Sequence, residues 1–274
     1  MKRSKITILL AIVLGMTFHS CLDLEPQDQL GGKNMWTSVN DYKQFANTFY
    51  SWTRDFSSVV YDGTHSDKRS DLITYQSYNE FSRGINSIPS SDANYTDNYK
   101  HIRRTNLLLQ NAEAYAKPED IKQYIGEAYF FRAYSYFDLL QLYGDVIITK
   151  KPLDITDPEM KVKRNDRSEV VDLIIDDLNH AVENLPAFKE LTTEEEGRIS
   201  KEGAQAFLSR VALYEGTWQK SRNGNQNTQR SANLLDIAAK AARTVIDAKY
   251  GYTFRLFGTD SETKILGDSA QEGI

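Results

Sequence analysis

Apolar positions recur along most of this chain every three to four residues, the spacing of one buried helix face. Residues 41–50 place Tyr42, Phe45, Ala46 and Phe49 on a single stripe. From Tyr99 the pattern is sustained: Tyr99, Ile102, Leu109 and Ala112 form one face, which breaks at residues 116–117. Pro118 suits the first turn of the next helix, where its missing N–H costs nothing, and Gly144 suits the left-handed cap that ends it. Between them Ile121, Tyr124, Ile125, Ala128, Phe131, Leu139 and Leu140 continue the stripe. Residues 146–149 read as a short extended segment. Ser168 is the expected cap of a helix holding Val170, Val171, Ile174, Ile175, Leu178, Val182 and Leu185 and ending before Pro186. Ser200 opens another with Ala204, Phe207, Leu208, Val211 and Tyr214, and Leu235, Ala238, Ala242, Val245 and Ile246 mark the last. No such helix is stable alone, so each must pack on its neighbours. The expected fold is all-α, made of irregular tetratricopeptide-like helix pairs with long loops. Tyr252, Phe254, Leu256 and Phe257 follow the last stripe and are expected to need a covering partner.

One stretch breaks the periodicity. Residues 54–96 are rich in Ser, Asp, Asn and Tyr, and a loop of that length in a compact domain is usually functional. Trp52, Tyr75, Tyr78 and Tyr95 lie in or beside this polar sequence without helical spacing, as does Tyr61. A ring exposed there offers a flat apolar platform for the C–H face of a sugar, while its polar tip still hydrogen-bonds. Arg69 and Asp71, with Asn79 and Arg83, are placed to meet sugar hydroxyls. The candidate ligand-binding residues are therefore Trp52, Arg69, Asp71, Tyr75, Tyr78 and Tyr95, weighed against plain local packing for each. Glu127 and Arg132, five apart in a long helix, read instead as a structural ion pair, and Phe130, Phe131 and Tyr136 as core.

The amino terminus has another character. Lys2, Arg3 and Lys5 precede an apolar run over residues 6–18, too short to span a bilayer and of signal-peptide length. Ser20 and the single cysteine, Cys21, follow it. We read residues 1–20 as a lipoprotein signal peptide, Cys21 as the acylated residue that anchors the mature chain to a membrane, and residues 21–40 as a polar tether. The weaker alternative is an ordinary secretory signal with an incidental cysteine. Cleavage would leave 30 basic against 38 acidic residues, a net charge of −8, which disfavours nucleic-acid binding. His65, His101 and His180 lack metal-ligand spacing, and no phosphate-cradling glycine loop or nucleophile elbow occurs. No cofactor, metal or catalytic residue is expected. A glycosidase needs only two carboxylates, so counting acids does not exclude one.

Four blocks carry a more specific likeness. The run Tyr124-Ile125-Gly126-Glu127-Ala128-Tyr129-Phe130-Phe131-Arg132-Ala133, followed by Tyr136-Phe137 and Tyr143-Gly144-Asp145-Val146, resembles the signature of the SusD/RagB family. Upstream, Tyr99-Lys100-His101-Ile102 with Asn106 is similar to its Y-x-x-I-x-x-x-N helix. Downstream, Arg167-Ser168-Glu169-Val170, Asp176-Asp177-Leu178 and Leu185-Pro186 resemble its next block, and residues 198–206 its R-[IL]-[ST]-K helix, with Gly203 where an Ala is usual. Ile147 stands where a Pro is usual, and Tyr95 where a Trp is frequent.

The resemblance implies an outer-membrane lipoprotein that faces the exterior and has no catalytic activity. It implies capture of an oligosaccharide, or in some members a peptide, for a SusC-like TonB-dependent transporter. Family length further implies that residues 41–274 form the amino-terminal helical domain and that a carboxy-terminal part is missing. Two other readings stand beside it: a helical-repeat scaffold for a protein partner at the envelope, and a surface glycan hydrolase.

Overall fold

The computed structural model describes residues 35–54, 80–81, 83–154, 156–222 and 228–252. Six α-helices are found among them: α1 (Val39–Asn47), α2 (Ala93–Glu113), α3 (Lys122–Tyr143), α4 (Arg167–Asn184), α5 (Lys201–Arg222) and α6 (Thr228–Ile246). The fold is all-α, as the periodicity predicts. Among the described residues no strand forms, and the expected extended segment contributes one antiparallel bridge, Val146 to Asn165. No described helix is long and apolar enough to cross a membrane.

Local chemistry sets the helix ends. Ser38 caps α1 while the Asp41 carboxylate accepts from the Ser38 N–H at 2.8 Å, a reciprocal cap that satisfies two otherwise orphaned donors. α1 then tightens into a 3-10 turn, Thr48–Trp52. Pro118 opens a second 3-10 turn, Pro118–Ile121, that feeds α3. Gly144 ends α3 at φ 73°, a left-handed conformation that favours glycine. The expected Ser168 cap lies two residues too late: Asp166 occupies the cap position of α4, with the Glu169 carboxylate accepting from the Asp166 N–H. An acid three residues after Asp166 completes the reciprocal cap, and nothing comparable follows Ser168. Ser200 does sit at the start of α5, where its hydroxyl accepts from the Gly203 N–H.

Each helix from α2 to α6 packs chiefly on its neighbours in sequence, and α1 leans on α3. Such nearest-neighbour stacking is the organisation of a solenoid. α3 is central and buried on nearly every side, with Phe130, Phe131 and Tyr136 in the core. Its Gly126 lets Leu185 approach so closely that an added Cβ would lie 2.9 Å from the Leu185 Cγ and 3.0 Å from its backbone nitrogen.

Arginine clamps fasten these layers. Arg132 on α3 makes two hydrogen bonds to Asp177 on α4, of 2.8 and 2.6 Å, and a third of 2.8 Å to Asn106 on α2. Arg167 at the start of α4 donates to Glu215 on α5 at 2.9 Å, with Trp218 under its guanidinium. Arg198, before α5, grips Glu127 on α3 and reaches Asn47 at the end of α1. Glu127 and Arg132 are thus both structural, but each belongs to a different pair. Five residues along a helix turn two side chains through about 500°, to well-separated faces. Tyr252 does find a partner, the Phe188 ring at 4.6 Å; Phe254, Leu256 and Phe257 lie outside the described residues.

Candidate functional site

The first turn of α2 positions Tyr95. Asp92 caps that turn by accepting from the Asn94 N–H at 2.9 Å, and its second oxygen accepts from the Tyr143 hydroxyl at 2.7 Å. Tyr143 is the last residue of α3, so this bond ties the end of α3 to the beginning of α2. Tyr95 lies edge-on to the Tyr143 ring at 5.2 Å and beside Tyr99, one turn along, at 4.8 Å. The Tyr99 hydroxyl donates to the Ile147 carbonyl at 2.8 Å. Burial raises the Tyr99 pKa well above that of an ordinary phenol, so it stays a donor at neutral pH.

These two tyrosines form one wall of a groove of about 450 Å³, within the size range of small-molecule sites. The opposite wall comes from the connection after α3, with Lys151, Leu153, Glu159 and the exposed Met160. Arg103 closes the wall two turns beyond Tyr95 and donates to the Leu153 carbonyl at 3.4 Å. The rim carries charges in pairs: Lys151 with Glu159 at 2.8 Å and Lys100 with Asp97 at 2.7 Å. Its hydrogen bond to Glu159 raises the Lys151 pKa, so the ammonium is held charged. Flat tyrosine faces between solvent-exposed donors and acceptors suit a ligand with apolar C–H faces and many hydroxyls.

Trp52 belongs to a different place. It ends the 3-10 turn after α1, where the His101 imidazole stacks on its ring at 4.1 Å and 14° and Phe49 lies at 4.7 Å. Burial lowers the His101 pKa to about 4, so the stacked imidazole is neutral near pH 7. Trp52 lines no part of the Tyr95 groove. Asn98, on α2 between Tyr95 and His101, is buried and donates to Asp138 at 2.7 Å, which Arg54 also pairs. Of the six candidate ligand contacts, Arg69, Asp71, Tyr75 and Tyr78 lie outside the described residues, as does Cys21. The groove adds Arg103, Lys151 and Glu159, which sequence reading did not mark, and Tyr99, which it marked only as a helix-face and motif residue. Tyr95, Tyr99 and Arg103 are spaced by four, a signal that was present; the facing connection, some fifty residues away, leaves no local trace. Among the described residues no cluster of His, Cys, Asp and Glu suited to a metal ion occurs.

Residues 22–213 match the family profile SusD-like_3, described as "Starch-binding associating with outer membrane". SusD-like protein P38 of Formosa agariphila is 28% identical over 233 residues, which cover 78% of this chain and 42% of that protein. SusD-like protein P2 of the same organism is 28% identical over 81% of this chain and 45% of its own length. The chain therefore spans less than half the length of these curated relatives. A crystal structure of a SusD-like protein from Bacteroides fragilis superposes with a TM-score of 0.64 at 26% identity, covering 87% of this chain and 43% of that one. A structure described as a laminarin-binding SusD-like protein superposes with a TM-score of 0.51 at 28% identity, over 64% of this chain and 35% of its own.

Proposed function

Because the chain belongs to the SusD-like family of carbohydrate-binding proteins, we propose that it captures an oligosaccharide in the groove beside Tyr95 and Tyr99. The supporting observation is that groove itself, in which paired tyrosine rings lie between charged donors and acceptors at the rim. Aromatic faces stack on the C–H faces of sugars, and hydroxyls find partners in Lys151, Glu159 and Arg103. The binding reading assigns no catalytic residue.

Capture serves uptake. In this proposal Cys21 carries the lipid anchor, the protein lies at the outer surface of an outer membrane, and bound oligosaccharide passes to a SusC-like TonB-dependent transporter. The family description supports the membrane association, and the sequence of residues 1–21 supports the anchor. Residues 1–20 are the signal peptide, the tether from residue 21 ends before Trp36, whose ring packs on Tyr42 ahead of α1, and the helical part beyond it is the amino-terminal domain of the family.

Titration with malto- and laminari-oligosaccharides tests the reading. Saturable binding is expected for at least one series, and Tyr95→Ala should lower it about tenfold, equivalent to about 1.4 kcal/mol. Binding of neither series, or binding indifferent to Tyr95→Ala with the helical signal intact, would contradict it.

A further inference from the structure

A second groove of about 470 Å³ lies on another part of the molecule, between α3 and α5. Its walls are aromatic: Phe130 and Tyr134 from α3, Tyr50 from the turn after α1, and Phe207 from α5. Its floor is small. Gly203, Ala206 and Arg210 all line it, and their spacing of three and four places them along one stripe of α5.

The two ends of that stripe carry opposite charges, neither in a salt bridge among the described residues. Glu202 is 2% exposed, and its Oε2 accepts from the Phe188 N–H at 2.8 Å, while its Oε1 is buried with no hydrogen-bond partner. A buried carboxylate oxygen without a donor costs free energy comparable with a lost charge-assisted hydrogen bond. Arg210, at the far end, is exposed and makes no salt bridge among the described residues. Its positive neighbour, Arg54, is already paired with Asp138, and Arg210 helps depress the Arg54 pKa after the larger effect of burial. Eight helical residues separate the two charges, about 12 Å along α5.

We propose that this groove docks an extended polypeptide segment of a partner, one that offers a basic side chain to Glu202 and an acidic side chain to Arg210. A span of about 12 Å corresponds to three or four residues of extended chain. An apolar side chain midway between them, on the same face of the extended segment, would lie against Phe130, Tyr134 and Phe207. A neutral oligosaccharide has no cation for Glu202, and a small zwitterion does not reach both ends, so a polypeptide fits the charge pattern best. Complementary charges at a fixed separation would set the register of the bound segment. The site is separate from the Tyr95 groove, and its failure leaves the oligosaccharide reading untouched.

The test uses the full chain and two fluorescein-labelled peptides, Lys-Ser-Leu-Ser-Glu and Lys-Ser-Leu-Ser-Lys, followed by anisotropy. Wild-type protein should bind the first at least fivefold more tightly than the second. R210E, on an exposed position, should reverse that preference. E202Q, which keeps an acceptor for Phe188, should weaken both peptides at least fivefold, with circular dichroism unchanged. Equal affinity for the two peptides, no binding up to 1 mM, or preferences unchanged by both substitutions would overturn the proposal. Binding that appears only after residues 253–274 are deleted would assign the groove to the chain's own tail, and dimerisation abolished by R210E would assign it to a second copy; either result also overturns it.

Discussion

Arg198 holds Glu127 through two hydrogen bonds of 2.8 and 2.7 Å across 71 residues of sequence. The Glu127 side chain is fully buried, and the guanidinium also lies over the rings of Tyr50 and Tyr124. One arginine therefore joins α1, α3 and the entry to α5. The other clamps use the same device, and all their members except Glu215 are residues of the sequence blocks that resemble the family: Asn106, Arg132, Arg167 and Asp177. Those blocks mark the fastenings of the solenoid, and one of them also carries Tyr99 of the groove.

Removing one member should expose the cost of an unpaired buried charge. Glu127→Ala is expected to destabilise by about 3–5 kcal/mol, measured as a lower urea midpoint at unchanged slope. Replacing both members, Glu127→Leu with Arg198→Leu, should recover more than half of that loss, since two apolar side chains leave no charge behind. A double variant as unstable as the single one would show that the arginine contributes mainly through Asn47 and its ring contacts.

The Trp52–His101 stack predicts a pH dependence. The folded-state pKa of about 4 lies below the ordinary value of 6.5, so the unfolded chain binds the proton more readily. Asp97 opposes the shift, while Arg104 and Lys100 reinforce it. Stability from this group is full above about pH 6.5 and is lost as the pH falls towards 4. His101→Phe should flatten the wild-type decline in urea midpoint between pH 7 and pH 4.5. An unchanged decline would place the titration elsewhere.

Two helical glycines should respond oppositely to alanine. At Gly126 the new methyl meets the Leu185 backbone, which cannot swing aside, and Gly126→Ala should cost about 1–3 kcal/mol. At Gly203 it meets only the tip of the Ile199 side chain. Gly203→Ala should therefore be neutral or stabilising by up to about 1 kcal/mol through helix propensity. Thermal melts of the two variants check the contrast.

The sequence made the helices legible because each buries a regular stripe: Tyr42, Phe45, Ala46 and Phe49 are all buried, as are Val170, Val171, Ile174 and Leu178. Pro118 and Gly144 punctuate where their backbone chemistry demands. The pairing of charges was not legible, because Glu127 and Arg132 are near in sequence while their partners, Arg198 and Asp177, are set by how helices pack. The candidate site was partly legible. Tyr95 stood out for its polar setting, whereas the Lys151–Glu159 wall reaches it only through the turn of chain after α3. Trp52 stood out for the same reason as Tyr95, yet its ring is packed against His101, which no local pattern reveals.

That difference between two aromatic residues supplies the sharpest measurement: oligosaccharide affinity and urea stability, determined together for Tyr95→Ala, Tyr95→Trp and Trp52→Ala. Tyr95→Ala should lose about tenfold in affinity with little change in stability, while Tyr95→Trp keeps the platform and keeps binding within about threefold. Trp52→Ala should lose about 3–5 kcal/mol of stability and leave affinity near wild type under conditions where it remains folded. Affinity that falls with Trp52→Ala and is untouched by Tyr95→Ala would contradict the account and move the sugar from the α2 groove to the end of α1.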